Sequence, residues 1–486
     1  MYEFEDLRVL VQAHSPLIVI ESFEEPRALM LIKRLAVNLM RPVFKWTITD
    51  GLQRLDSEQG AQAFNAEPTN LLAQIKNTRN SGIYVLCDFH PFLTEPKHVR
   101  YIKEIAQAHE QLGHTLILLS HAIDVPPELN RLCYRFELSL PSDQHIRQLV
   151  HEMAQLYAAK QGMAVDMNAE QVTLLVQNLR GLTFAEVKRL AYKAIADDGA
   201  ITAADIPRIN RAKFSLLQTD GVLSQVYESV SFANVIGLSN LKSWIEQRGH
   251  AFVEQQSDMP KGLLLTGVQG TGKSLAAKAI AGSWNLPLLR LDMAALYNKF
   301  IGETEKNLTQ ALALADAMSP CVLWIDEIEK GLAQGDNDGG VSRRLLGSFL
   351  TWLSERKSQV FLVATANNIH QLAPELLRKG RFDEIFFVDL PDAQECAALL
   401  KLHLNKRQLT LDDAAITSAV TLCQGFSGAE LEQAVVGARF RAQAAAQPFG
   451  LAHLMAELAA TQPLSVVMAE QITALRQWAA QRCVKA

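Results

Sequence analysis

Residues 263–281 read LLLTGVQGTGKSLAAKAIA: an apolar run, a glycine-rich octet, then a strong helix former. The octet Gly267-Val268-Gln269-Gly270-Thr271-Gly272-Lys273-Ser274 has the form G-x-x-x-x-G-K-[ST]. That pattern binds phosphate only when a strand enters it and a helix leaves it. Its glycines let the backbone wrap so that successive N–H groups point inward, and the helix adds its positive end to the same anion site. Lys273 then reaches the terminal phosphates and Ser274 the magnesium ion, with Leu275 opening the helix behind them. A strand, loop and helix in this order demand a parallel sheet covered by helices.

Elsewhere the chain repeats that grammar. Short apolar runs alternate with longer helical stretches, and strands are expected at Leu17 to Glu21, Val43 to Thr47, Ile83 to Asp88, Thr115 to Ser120, Leu263 to Thr266, Leu288 to Leu291, Val322 to Asp326 and Val360 to Ala364. They split into two sets of four whose landmarks recur at a nearly constant offset. Ile18 to Leu263 is 245 residues, Asp88 to Asp326 is 238, Leu140 to Leu390 is 250, and Gly181 to Gly425 is 244. FELSLPSDQHIRQLV also echoes FFVDLPDAQECAALL, and GLTFAEVKRLA echoes GFSGAELEQAV. Similar helical wheels can arise by chance, but the shared order of all four landmarks favours duplication. A hinge is expected near residues 205 to 225, and the polar, glycine-rich QGDNDGG is expected to be a mobile loop.

The 486 residues, 49% apolar and 20% charged, suffice for two or three cores. A formal charge of -5 removes the electrostatic footprint of a constitutive nucleic-acid binder. The acidic start MYEFEDLRVL and the lack of an 18-residue apolar run argue against a secretory signal and a membrane helix. A cytoplasmic protein without membrane partners is therefore expected. Six scattered cysteines with no CxxC pair suit a reduced chain without a zinc or redox motif.

The second half carries the remaining chemistry. Fifty-two residues after Ser274, the apolar run CVLWI delivers Asp326 and Glu327, at the sheet edge where ligands of parallel sheets bind. The first carboxylate suits a water-mediated hold on magnesium and the second suits polarising an attacking water. VFLVATAN ends in Asn367, whose amide can hydrogen-bond a γ-phosphate and a nearby water. In LLRKGRFD, Gly380 interrupts the helix between Arg378 and Arg381, which fits arginines presented from a loop to a neighbouring subunit's phosphates.

GVQGTGKS, VLWIDE, ATANN, PELLRKGRFD and GFSGAEL, in this order, resemble the AAA branch of the AAA+ ATPases, from about Ser231 to Phe440. IDEIEKGL, RRLLGSFLTWLSERK and VATANNI are further similar to the hypothetical-chloroplast-reading-frame (ycf) group of AAA proteins. The resemblance implies an α/β P-loop NTPase module with a helical lid, using ATP and magnesium. Lys273 and Ser274 match its first phosphate motif, Asp326 and Glu327 the acidic pair, Asn367 the sensor, and Arg378 and Arg381 the trans-acting fingers. Phe232, Asn234, Ile236 and Gly237 match the segment beside the adenine, with Asn234 where many relatives have Asp. Gly428 and Ala429 match the lid's contact with the nucleoside. KFIGE supplies Phe300, Ile301 and Gly302 where the family grips a polypeptide, although a buried Phe at a helix end would look the same. The implied protein is a homo-oligomeric ring, expected to be a hexamer, that remodels an unidentified protein client. The alternative is a slow ATPase switch regulating a metabolic complex.

The first half lacks the phosphate motif. Where it should stand, IVIESFEEPRALM offers Glu21, Glu24 and Glu25, so a module that keeps the fold without the chemistry is expected. Phe89 stands where the catalytic Glu belongs and Ser120 near the sensor position, while Arg131 is either a donated finger or an exposed helix-end residue. These readings divide the chain into a degenerate module at 1–215, an ATPase subdomain at 216–392 and a helical lid at 393–486. Val467, Ile472, Leu475 and Trp478 mark a final helix, either docking on a neighbour or capping its own lid.

Overall fold

A computed structural model describes residues 2–13, 15–56, 63–217, 221–228, 230–253, 258–296, 303–332, 341–378 and 380–486. It forms two compact units, one of Met1–Pro141 with Thr183–Glu186, the other of Ser142–Leu182 with Val187–Ala486. The first contains β1 (Leu17–Glu21), β2 (Val43–Thr47), β3 (Gly51–Arg54), β4 (Ile83–Cys87), β5 (Thr115–Ser120) and β6 (Cys133–Phe136). The second contains β7 (Leu223–Val226), β8 (Gly262–Gly267), β9 (Leu288–Leu291), β10 (Cys321–Ile325), β11 (Val360–Ala366), β12 (Glu384–Val388) and β13 (Val484–Lys485). No helix among the described residues is long and apolar enough to cross a membrane.

The strand orders are β3-β2-β4-β5-β1-β6 and β13-β12-β8-β11-β10-β9-β7. Read from opposite ends, β2-β4-β5-β1-β6 and β9-β10-β11-β8-β12 are the same five parallel strands in the same order. All eight expected strands are present. Their central members are buried along nearly their whole length, because helices cover both faces of a parallel sheet and leave no room for polar alternation. The edge strands β3, β6, β7 and β13 and the penultimate strand β12 had escaped, since short or half-exposed strands carry little apolar signal.

The duplication reaches individual atoms. Thr183 N–H and hydroxyl donate to Glu186 Oε2 at 2.9 and 2.8 Å, and Ser427 N–H and hydroxyl donate to Glu430 Oε2 at 2.7 and 2.8 Å. Both are reciprocal helix caps, 244 residues apart. Ser120 hydroxyl donates to Asp88 Oδ1 at 2.8 Å, as Thr365 hydroxyl donates to Asp326 Oδ1 at 2.6 Å. Strand register agrees, since Cys87 pairs with Leu119 and Ile325 with Ala364. Ser120 thus corresponds to Thr365, two residues before Asn367 and so near the sensor position, as expected.

The same comparison explains the missing phosphate loop. Five residues separate β8 from the helix Lys273–Ser283, but only three separate β1 from the helix Glu25–Asn38. Three are too few to wrap an anion, and Pro26 removes one of the helix's first N–H groups. The three carboxylates that stand in place of the phosphate motif are not bare. Glu21 pairs with Arg135 at 2.6 Å, Glu24 with Arg27 at 3.1 Å and Glu25 with Lys45 at 2.9 Å. Glu24 even accepts the Ala185 N–H at 3.3 Å, as the phosphate-loop carbonyl of Gly270 accepts the Ala429 N–H at 3.0 Å. A side-chain carboxylate has replaced the loop as a helix cap.

Two further expectations change. Residues 205 to 225 are not simply a hinge: they include the helix Ile206–Leu217, whose Phe214 joins the core around β10 and β11, and β7 continues the second unit's sheet against β9. Ile206, Ile209 and Phe214 are buried at helical spacing, a stripe diluted by Arg208, Asn210 and Arg211. In the final helix, Ala469–Ala479, Ile472 and Leu475 are buried and Trp478 packs against the same unit's core, while Val467 is exposed. Three of the four apolar residues therefore cap their own unit. The polar loop Gln334 to Gly340 lies outside the described residues.

Candidate functional site

The octet folds as its glycines require. Gly270 and Gly272 adopt φ of +74° and +92°, a region that side-chain-bearing residues rarely occupy. Gly270 also has no space for a side chain: a Cβ there would lie 2.9 Å from Ser427 Oγ and 3.1 Å from Ala429 Cβ. The lid helix Gly428–Ala444 therefore starts against the loop, held by the Ala429 N–H to Gly270 carbonyl bond. Between them opens a cavity of about 730 Å³, the size of an ordinary ligand pocket.

Gln269, Gly270, Thr271, Gly272, Lys273, Ser274 and Leu275 form one wall. Asp326, Glu327 and Asn367 line it from the carboxyl ends of β10 and β11, and Asn234, Ile236, Gly428 and Ala429 from the opposite side. Gly267, Val268 and Gly237 stand behind this lining. A Cβ on Gly267 would lie 2.0 Å from the Val388 carbonyl, and one on Gly237 would lie 2.1 Å from Glu395 Oε1. Gly267 and Gly237 thus allow close approach of the backbone to neighbouring atoms.

Lys273 is 5% exposed and donates to the carbonyls of Gly267 at 2.9 Å and Val268 at 2.7 Å. Burial lowers its ammonium to about 8, against the opposing pull of Glu329, Asp326 and Glu327. Ser274 hydroxyl donates to Asp326 Oδ1 at 3.3 Å. A hydroxyl beside a carboxylate is a pair of hard oxygen donors, which fits magnesium.

Glu327 sits at φ +49°, in the left-handed region, where β10 gives way to the short helix Ile328–Leu332. Its N–H is anchored on Thr365 Oγ1 at 3.1 Å. Asn367 Nδ2 donates to Glu327 Oε1 at 2.9 Å, and Lys330 meets Oε2 at 2.5 Å. The Asn367 amide and the Glu327 carboxylate are thus in direct contact.

Sequence reasoning had missed three residues here. Thr365 orients Asp326 and Glu327 together. Glu329 is buried and accepts the N–H groups of Asn367 at 2.9 Å and Asn368 at 3.2 Å, setting the sensor's backbone. Lys485 reaches the rim because β13 joins β12. Glu329 had a legible signal in the repeated acids of IDEIEK, whereas Lys485 had none.

The structure does not bring Arg378 and Arg381 to this cavity. Arg378 follows the 3-10 turn Pro374–Leu377 in extended conformation and lines a separate cleft with Trp478 and Arg482. Arg381 Nη1 donates to the Leu350 carbonyl at 2.5 Å. Gly380 between them has φ +93°, so the two arginines project from a loop. Phe300, Ile301 and Gly302 lie outside the described residues.

Comparison with known proteins follows this geometry closely. Residues 263–390 match the ATPase family associated with various cellular activities (AAA), residues 4–138 the N-terminal domain of SpoVK-like AAA ATPases, and residues 144–220 their second domain. The chain is 36% identical to the AAA domain-containing protein ycf46 of Pyropia yezoensis, over 98% of this chain and 97% of that one. It is 34% identical to ycf46 of Guillardia theta, over 98% and 94%. A proteasome-activating nucleotidase of Aeropyrum pernix is 32% identical over 55% of this chain and 63% of its own length. A full-length match of this kind, together with a phosphate loop, acidic pair and lid gathered around one cavity, makes the chain an AAA-type ATPase belonging to the ycf46 family of AAA domain-containing proteins.

Proposed function

We propose that this ATPase hydrolyses magnesium-bound ATP at the interfaces of a homo-oligomeric ring, a hexamer, and uses the cycle to remodel a protein client in the cytoplasm. The observation that carries the proposal is that Lys273, Ser274, Asp326, Glu327 and Asn367 line one cavity, with Ser274 hydrogen-bonded to Asp326 and Asn367 to Glu327. In the proposed reaction these residues divide the labour. Lys273 and the loop amides face the phosphates, Ser274 and Asp326 hold magnesium, Glu327 polarises water and Asn367 links that water to the γ-phosphate. Asn234, Ile236, Gly428 and Ala429 enclose the nucleoside. The missing positive charge is delivered by Arg378 and Arg381 of a neighbouring subunit. Support for a protein client comes from the Phe300-Ile301-Gly302 triplet and from the likeness to a nucleotidase named for activating proteasomes. Residues 1–215 act as a non-binding module, followed by the ATPase subdomain at 216–392 and its lid at 393–486.

Phe300→Ala separates a remodeller from a slow regulatory switch. It should keep basal ATP hydrolysis, because no phosphate contact is lost, yet abolish stimulation by a client polypeptide. A variant whose client stimulation survives per folded molecule, with a lowered melting temperature, would instead mark Phe300 as core, since truncating a buried Phe costs about 3 to 5 kcal/mol.

The phosphate role of Lys273 has its own signature. With its ammonium near 8 before binding, and raised once phosphates surround it, the binding-competent cation is complete below that pH and is lost above it. ATP affinity should be flat from about pH 7 to about 8, then fall up to tenfold per unit until the pKa of the complex is reached. Calorimetric titrations with magnesium-ATP across this range check it. Lys273→Ala should bind too weakly to measure; measurable ATP affinity in the folded variant would refute the phosphate role, and a wild-type affinity independent of pH would refute the lowered ammonium.

A further inference from the structure

At the carboxyl ends of β4 and β5 the first unit gathers Asp88, His90 and His121. One carboxylate oxygen and one nitrogen from each ring all lie within 4.8 Å of one another, the one such group found among the described residues. We propose that these residues bind a divalent transition metal, zinc in the first instance, in the module that does not bind nucleotide.

The position is informative because the two modules share a topology. Asp88 corresponds to Asp326, at the sheet edge where ligands of parallel α/β sheets sit. In the ATPase module that edge presents oxygen donors, Ser274 and Asp326, suited to magnesium, which keeps waters and substrate phosphates in its shell. The first unit lacks the phosphate loop but retains the aspartate and adds two imidazoles. Imidazole nitrogen favours zinc, copper, nickel or iron over magnesium. Two histidines and one carboxylate meet the three-ligand requirement of an open zinc site.

The groups are already held in register. Ser120 hydroxyl donates to Asp88 Oδ1 at 2.8 Å and lies 2.9 Å from His90 Nδ1 and 3.4 Å from His121 Nδ1. One hydroxyl carries one proton and two lone pairs, so a single residue can satisfy all three contacts. Ligands about 2.0–2.1 Å from zinc stand about 3.3 Å apart in a tetrahedron, closer than the 4.8 Å limit here. His121 can close that gap by rotation, because it and Asp88 are exposed and its ring meets the exposed Phe23, 5.8 Å between centroids, and the edge of its fellow ligand His90, 5.1 Å between centroids. Ser120 is a positioning residue in this arrangement.

The test uses the full chain, stripped with a chelator and free of nucleotide, titrated with Zn²⁺ alone. Asp326→Asn serves as the background, so that the magnesium position of the second unit cannot contribute. One equivalent should bind. His90→Ala and His121→Ala should each weaken it at least tenfold, the double variant should abolish it, and Ser120→Ala should weaken it by about tenfold or more, as outer-shell partners do. Imidazole ¹⁵N-edited spectra of the unmutated chain give a readout that does not depend on variants folding. Zinc should shift the ring signals of His90 and His121 and leave the other ten of the 12 histidines in place. Absence of stoichiometric binding, binding that survives in the folded double variant, or shifts confined to other histidines would each overturn the proposal.

Discussion

Replacing Glu327 by Gln should lower ATP turnover by about a hundredfold to ten-thousandfold, the range general-base groups contribute, while ATP affinity stays within about threefold. The physical reason lies in what the side chain touches. The Glu327 oxygens meet the Asn367 amide at 2.9 Å and Lys330 at 2.5 Å. Gln has nearly the same volume and can keep one oxygen on the Asn367 amide, so the pocket wall survives while the negative charge beside the water and its ion pair with Lys330 are lost. Nucleotide titration and phosphate release on the same preparation check the result. Equal loss of binding in Glu327→Gln and Lys273→Ala would remove the distinction between holding phosphates and aligning water. The variant also offers a way to the client, because ATP retained without hydrolysis should stall the complex for capture.

The proposed delivery of Arg378 and Arg381 across an interface predicts a different pattern. Arg378→Ala and Arg381→Ala should leave nucleotide binding by the isolated subunit nearly unchanged, since neither residue lines its own cavity. Turnover of the assembled protein should fall by three to five decades, as it does where arginine fingers act in trans. Mixing either variant with Glu327→Gln protein sharpens the result. The first has an intact site without fingers, the second has fingers beside a dead site, and a mixed ring reunites the functional halves. Recovery of activity on mixing is the expected outcome, whereas full activity of a strictly monomeric wild type would refute delivery across an interface. Delivery across an interface adds one condition: turnover should depend on protein concentration, because one subunit's arginines serve another's site.

Much of this protein is written locally. The phosphate loop, the buried strands β4, β5, β8, β10 and β11, and the acidic pair are legible because each is a run of adjacent residues whose hydrophobic pattern or backbone demand is met within a few positions. The repeat was legible for the same reason, and the matching strand orders and helix caps bear it out. Other features depend on partners distant in sequence. Thr365 became part of the site only when β10 lay beside β11, and Lys485 only when the final strand paired with β12. Residues 205 to 225 have too weak a helical stripe to announce themselves, yet Phe214 finds its place in a core that reaches residues more than a hundred positions away, such as Leu323 and Leu362. The same limit applies to charge: Glu21, Glu24 and Glu25 read as an uncompensated acidic loop until Arg135, Arg27 and Lys45 are seen against them. The sequence by itself determined the nucleotide chemistry and the doubled sheet, since both rest on short-range pattern and backbone conformation. Only tertiary structure decided which polar groups are paired, and it alone gathered Asp88, His90 and His121 around one hydroxyl, because hydrogen bonds and ion pairs join atoms that meet only after the strands are laid side by side.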